Sequence, residues 1–153
     1  MIDGSTLEHA YKYTWSGFSA WEQRKHAEDW VLLPQNLGTH LSIDESCLHD
    51  DLFTILTNKD GHGRQGTVIA MVRGTKAEDV IKVLVQLPEE ERKKVQEVTM
   101  DLSESMRSIV ESVFPNARIT LDCFHIMKRC LEAVEELRLR YKREAQADLR
   151  RQE

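Results

Sequence analysis

The feature of this sequence that most constrains its fold is a change of hydrophobic period at Gly74. Before Gly74, three short runs rich in β-branched and apolar residues lie between turn signals. Such runs predict β-strands, which we place at residues 40–46, 52–59 and 66–74. Three strands in succession with short connections favour an antiparallel meander.

After Gly74, apolar residues recur at the spacing of a helix, and helices then alternate with strands. Thr75 and Glu78 have the spacing of a capping box at the start of the first helix, and Ser103 is suited to begin the second. The remaining elements are two strands and one long terminal helix, predicted at residues 95–101, 117–122 and 124 to about 152.

Two segments flank this pattern. Residues 1–39 hold three tryptophans and a stretch with helical character at Ser19–Trp30, which predicts a helical lead-in segment against one side of the core. The terminal helix has an apolar seam, which we expect to pack on the sheet along its first half. Its last part, Arg143–Glu153, is nearly all polar and is expected to project from the body. The seam consists of Ile126, Cys130, Val134, Leu137 and Tyr141.

The order β-β-β-α-β-α-β-α limits the possible topologies. Right-handed crossovers place the fourth strand beside the first and give the strand order 3-2-1-4-5. The prediction for residues 40–153 is therefore an α/β domain with a mixed five-stranded sheet, flanking helices and the ribonuclease H-like arrangement. Open α/β sheets bind ligands where the connections diverge, which here lies between strands one and four.

Two aspartates are predicted to meet at that crevice. Asp44 lies in the first strand and Asp101 ends the fourth, both toward the carboxyl side. Two carboxylates this close are stable together only with a cation, and hard oxygen ligands suit Mg²⁺ or Mn²⁺ in a two-metal arrangement. The structural alternative for Asp101 is a turn residue that ends its strand. Glu45 is expected on the opposite face of the first strand.

A second polar group lies where the fifth strand meets the long helix. Asp122 and His125 are placed to position a phosphate or a water molecule, or alternatively to cap and begin the helix.

The spacing of these residues relative to Cys123 and Cys130 is poor for a zinc site. With Cys47, the chain has three cysteines and no Cys-x-x-Cys pair, which predicts reduced thiols in the cytoplasm.

The charge distribution limits the possible partners. Residues 126–153 carry eight Lys or Arg against six acidic residues, whereas the preceding 125 residues carry a net charge of −7. An acidic body binds polyanions poorly unless metal ions or additional segments offset its charge. No apolar stretch approaches the length of a membrane span, and no leader is expected at the first residues.

Several runs of this chain closely resemble bacterial insertion-sequence transposases of the DDE class, from about His9 onward. These runs are His26–Trp30, Leu41–Glu45, Leu52–Lys59, Val98–Asp101 and Asp122–His125. The resemblance implies that Asp44 and Asp101 are the first two catalytic, metal-binding residues, and that Asp122 and His125 form the family's Asp-x-x-His signature. Cys123 departs from that signature, which usually has Arg at this position.

The resemblance also implies a wider functional setting. Mg²⁺ or Mn²⁺ would serve the cleavage of DNA at element ends and the transfer of the freed strand to target DNA. The third acidic residue is expected beyond Glu153, so the catalytic core in residues 40–153 would be incomplete and this chain inactive alone. Expected partners are DNA, further copies of the complete protein and a separately encoded DNA-binding protein, at the nucleoid in the cytoplasm.

Two other functions stay open at the level of sequence. One is a self-sufficient ribonuclease H-like nuclease, which needs a third acidic residue that the sequence does not single out. Glu132, Glu135 and Glu136 are better explained as surface charges on the long helix. The other is a non-catalytic remnant or a protein-interaction module that binds a partner through this helix.

Overall fold

The computed structural model describes residues 3–152. The segment ahead of His40 contains helix α1 (Gly4–Ala10), a π-helical turn, three 3-10 turns and one short strand described below. The turns lie at Tyr11–Trp15, Phe18–Ala20, Glu22–Lys25 and Pro34–Asn36. The expectation of a continuous helix over Ser19–Trp30 is therefore wrong, since only short turns form there before the chain becomes extended.

The body of the protein is a six-stranded mixed sheet with the order β1-β4-β3-β2-β5-β6. The strands are β1 (Trp30–Leu32), β2 (His40–Leu48), β3 (Asp51–Asn58), β4 (Val68–Arg73), β5 (Glu97–Met100) and β6 (Arg118–Leu121). Strands β2, β3 and β4 form the antiparallel meander, and β5 and β6 extend the sheet in parallel from β2. The five strands predicted from the sequence are β2 to β6, in the predicted order.

The sixth strand corrects the predicted count of five. Residues Trp30–Leu32 pair antiparallel with β4 at the edge of the sheet. The side-chain amide of Gln23 donates to the carbonyl oxygen of Leu32 at 2.6 Å and accepts from its backbone N–H at 2.8 Å. These two hydrogen bonds satisfy the peptide groups of Leu32 from a residue nine positions away, which no local pattern predicts.

Helices cover one face of the sheet. They are α2 (Ala77–Leu84), α3 (Glu89–Arg92) and α4 (Glu104–Val113). Buried residues of α2 and α4 form one core with strand residues such as Leu41, Ile43 and Val98, each at most 1% exposed. Burial of these apolar groups supplies the main favourable contribution to folding.

The caps of these two helices differ. The hydroxyl oxygen of Ser103 accepts a hydrogen bond from the Met106 N–H at 3.4 Å, which confirms Ser103 as the cap of α4. Thr75 does not cap α2, because that helix starts at Ala77 and its capping position is Lys76, which provides no side-chain hydrogen bond. The capping-box prediction for Thr75 and Glu78 is therefore wrong, because the helix starts later in the chain than the box requires.

The opposite face of the sheet is open to solvent along its central strands. Ser42, Ile55, Met71 and Thr99 lie on this face, as the alternation of side chains along the paired strands requires, and each is half-buried. Both crossover connections, through α2 and α4, run over the other face. The open face therefore presents both polar and apolar side chains.

Helix α5 (Cys123–Gln152) has the predicted extent, but its packing differs from the prediction. The seam residues are exposed, from 39% for Ile126 to 62% for Val134, so the first half of the helix is not buried on the sheet. The helix begins at the end of β6, the edge strand, which lets it extend beyond the sheet. None of the helices in residues 3–152 is both long and apolar enough to cross a membrane.

Candidate functional site

The parallel pairing of β2, β5 and β6 brings acidic residues to the carboxyl-terminal side of these strands. We call Asp44, Asp101 and Asp122, with the neighbouring Glu45, the acidic edge. Ser42 lies opposite Thr99, and Thr99 lies opposite Thr120. Each of these residues is followed two positions later by an aspartate. These are Asp44 after Ser42, Asp101 after Thr99 and Asp122 after Thr120. The observed pairing ends before these positions. Continued with the period of two of a strand, it would bring the three aspartates to one level on the open-face side of the sheet.

Asp44 lies within β2, which has β3 on one side and β5 on the other. It is exposed and lies opposite Ile55 of β3. Its Oδ1 accepts a hydrogen bond from the N–H of Glu45 at 2.8 Å. This local bond fixes the orientation of the carboxylate in an extended strand, where it faces solvent at the carboxyl side of the sheet.

Glu45 takes part in the electrostatics of this edge. Partial burial raises the pKa of the Glu45 carboxyl above its ordinary value of 4.5, and the nearby negative charges of Asp101 and Asp44 raise it further. Alternation along β2 places Glu45 on the other face from Asp44, as predicted. Glu45 nevertheless lies in the negative field of both aspartates, which the alternation along β2 does not reveal.

Asp101 directly follows β5 and forms the turn into α4. Its Oδ1 accepts a hydrogen bond from the Ser103 N–H at 2.9 Å, which is the turn role considered as an alternative. Among the described residues, its Oδ2 has no hydrogen-bond partner within the chain. The turn therefore fixes one oxygen of Asp101 and leaves the second as a potential ligand atom.

Asp122 and His125 form the junction of β6 and α5. The N–H of Asp122 donates to the carbonyl oxygen of Met100 at 2.8 Å, and Oδ1 of Asp122 accepts from the N–H of Phe124 at 2.9 Å. The second oxygen, Oδ2, lies 3.7 Å from Nε2 of His125. Asp122 thus caps the helix, as the structural alternative has it, and its carboxylate also lies near the imidazole; a role of this pair toward a phosphate or a water molecule stays a prediction.

A small concavity of about 130 Å³ connects the two groups. It is lined by Asp101, Leu102, Ser103, His125 and Arg129. Asp101 and His125, predicted separately from sequence, therefore share one cavity. Arg129 was not identified from the sequence, although its position one helical turn after His125 would have placed both side chains on the same side of α5.

The donor set suits a hard divalent cation, with an open coordination shell. Asp44 in β2 and Asp101 in the turn after β5 would supply carboxylate oxygens, and Mg²⁺ commonly binds through one or two carboxylates while keeping water and substrate phosphate as further ligands. Within residues 3–152, no group of three or more His, Cys, Asp or Glu side chains could enclose a metal ion. The cysteines there are free and exposed at positions 47, 123 and 130.

The fold and the position of the acidic edge define a class. A mixed sheet with this strand order, with polar residues at the carboxyl ends of adjacent parallel strands, is the ribonuclease H-like α/β fold. The chain belongs to a family described as Transposase, the ISL3 group of DDE transposases, whose model matches residues 41–153. Comparison with curated proteins finds no significant match.

This membership makes the protein part of the machinery of DNA transposition and recombination in a mobile element. The matched range covers more than two thirds of the chain and contains all four predicted site residues. The family assignment agrees with the resemblance seen in the sequence, whereas the roles of the individual site residues stay predictions.

Proposed function

We propose that this chain provides a metal-dependent catalytic core for the cleavage of DNA at element ends and for strand transfer. The observation that carries the proposal is the parallel pairing of Ser42 with Thr99, which lie two residues before Asp44 and Asp101 respectively. Carboxylates placed together in this way attract divalent cations, and the resulting site faces solvent, where a DNA backbone has access.

The proposed reaction has two balanced steps. In the first, the oxygen of a water molecule forms a bond to phosphorus, the bond from phosphorus to the 3′ oxygen breaks, and the released strand ends in a 3′ hydroxyl. In the second, that hydroxyl attacks a phosphodiester of target DNA and releases a different 3′ hydroxyl. Bound Mg²⁺ or Mn²⁺ would lower the pKa of the attacking group and neutralise the charge of the leaving oxygen.

The side chains of this chain would have distinct roles in those steps. Asp44 and Asp101 would hold the metal ions through oxygens that face the open side of the site. His125 would donate a hydrogen bond to a phosphate oxygen in the shared concavity. Asp122 would keep the His125 ring oriented through its Oδ2 while its Oδ1 caps the helix.

A third carboxylate would complete this site, and we expect it beyond Glu153. The acidic residues of α5 are poor candidates, since Glu135 forms a bidentate ion pair with Arg138 at 2.6 and 2.7 Å and both side chains are exposed. With two of three metal ligands, this chain is expected to be inactive alone. Residues 40–153 would then be one part of the catalytic domain, preceded by the lead-in at residues 1–39.

The proposed activity determines the partners and the location. The substrates are DNA at the element ends and at the target, which places the protein at the nucleoid of the bacterial cytoplasm. Joining two ends to one target requires more than one active site, so the complete protein is expected to act as a homo-oligomer. A separately encoded DNA-binding protein would supply recognition of the element ends.

The exposed seam of α5 favours one other function, a protein-interaction module. Val134, Leu137 and Tyr141 are each about half exposed or more, and apolar exposure of this kind often marks a contact surface. In this alternative the acidic edge would have no chemical role. A self-sufficient nuclease is less well supported, because no three potential ligands meet within residues 3–152.

Thermal unfolding in the presence of divalent cations tests the proposal. Millimolar Mg²⁺ or Mn²⁺ should raise the melting temperature, because a ligand that binds only the folded state stabilises it, by about 1.4 kcal/mol at a tenfold excess over Kd. Asp44→Asn should abolish the increase. Asp60→Asn, in an exposed turn after β3, is the control and should respond like the wild type. An equal increase in Asp44→Asn would contradict the proposal.

A further inference from the structure

The concavity beside Asp101 contains one cationic side chain. Its lining combines a carboxylate of Asp101, an imidazole of His125 and the guanidinium of Arg129. His125 and Arg129 are four residues apart on α5, so successive turns of the helix place both on the side that lines this concavity with Asp101. Polar donors therefore face the proposed metal ligand across a small open space.

The guanidinium of Arg129 is weakly engaged within the chain. It lies 3.9 Å from the carboxylate of Glu132, and its side chain is 80% exposed. Arg138 on the same helix differs, because its Nε and Nη2 both donate short hydrogen bonds to Glu135. The donors of Arg129 can therefore bind an external anion without first breaking a strong ion pair.

We propose that this concavity binds a phosphate group of the DNA backbone and that Arg129 is the positioning residue that holds it. The inference rests on the proposed function, since it assigns a contact for the same substrate. Arginine binds phosphate with a planar pair of donors, and here the phosphate would lie between the guanidinium and the site at Asp101. A backbone phosphate is common to every DNA sequence, so the contact would add affinity without sequence preference.

The salt dependence of DNA binding tests this proposal. The affinity of the full chain for a duplex oligonucleotide would be measured by fluorescence anisotropy with Mg²⁺ present, between about 50 and 200 mM salt. Arg129→Gln should weaken binding and reduce the slope of log K against log salt by about 0.9, the value for one lost phosphate contact. Arg129→Lys should retain the slope, because it retains the charge, and bind a few-fold more weakly.

Arg140→Gln is the matched control. Arg140 lies on the same helix, and its ion pair with Glu144 is equally long at 3.9 Å. It does not line the concavity, so this variant should keep the wild-type slope. An equal loss of slope in both variants would show diffuse attraction to the helix and overturn the proposal, as would an unchanged slope in Arg129→Gln or a wild type that does not bind DNA.

The metal response separates this inference from the proposed function. Arg129 is not a metal ligand, so Arg129→Gln should keep the rise in melting temperature with Mg²⁺ that Asp44→Asn loses. If Arg129→Gln keeps both the metal response and the full salt slope, the Arg129 contact is wrong and the metal site stands. If the wild type has no metal response, the proposed function fails irrespective of the salt slope.

Discussion

At the scale of residues, the acidic edge is the costly feature of this protein. Asp44, Asp101 and Glu45 lie close enough that the two aspartates raise the pKa of the glutamate carboxyl. Like charges gathered at one edge destabilise the folded state unless a cation offsets them. Under the proposed function, a bound divalent cation would offset these charges.

The pH dependence of stability gives a test at this scale. Because the pKa of Glu45 is raised in the folded state, folding favours its protonated form. The contribution of Glu45 to the free energy of unfolding is fully present below the ordinary pKa of 4.5, and it is lost as pH rises through the raised pKa. Glu45→Gln should therefore be more stable than the wild type above this range and lose that advantage below it.

Thermal melts from about pH 4 to pH 7 would measure this difference. Glu78→Gln is the control, because Glu78 is exposed on α2 and pairs only with Lys76 among the described residues. Its melting temperature should follow the wild type without the same crossover. A Glu45→Gln variant that is uniformly less stable at every pH would show that the glutamate is stabilised, not repelled, by its surroundings.

At the scale of elements, helix starts determine where the site residues stand. Asp101 accepts from the N–H of Ser103, and Ser103 in turn caps α4, so one short turn sets both the end of β5 and the start of the helix. Asp122 does the same between β6 and α5. The two acidic turns therefore hold the site at the carboxyl ends of their strands.

Two caps give a paired prediction about stability. Ser103→Ala removes the side-chain oxygen that accepts the Met106 N–H and should cost about 1 kcal/mol of unfolding free energy. Thr75→Ala should cost much less, because Thr75 does not cap α2. Urea unfolding of both variants measures the difference. Equal losses would show that α2 begins with the capping box suggested by the sequence.

Helix α5 shows what periodicity leaves open. Its apolar seam predicts correctly that the residues form a helix with one apolar side. The pattern does not specify which surface covers that side, and in this structure the seam stays exposed. The spacing of Arg129 and His125 places them on one side of α5, but the way α5 leaves β6 decides that this side lines the cavity at Asp101.

At the scale of the whole molecule, the sequence was sufficient for the strand order, whereas the role of the acidic edge stays a prediction. The change of hydrophobic period at Gly74 separates the antiparallel meander from the helical crossover connections. The right-handedness of those connections then places β5 beside β2. Strand β1 was not predicted, because three residues are too few to show a hydrophobic period. Its hydrogen bonding also depends on Gln23, which lies at a distance in the sequence. The charge relation between Glu45 and Asp101 likewise follows only from the folded geometry.

The central claim is that Asp44 and Asp101 together form one divalent-cation site. Binding of Mn²⁺, followed by loss of the free-ion signal in electron paramagnetic resonance, tests it in the wild type, both single Asn variants and the double variant. Each single variant should lose at least about tenfold in affinity, or 1.4 kcal/mol, and the double variant should lose much less than the sum. Wild-type affinity in either single variant, or small losses that add, would contradict a shared site.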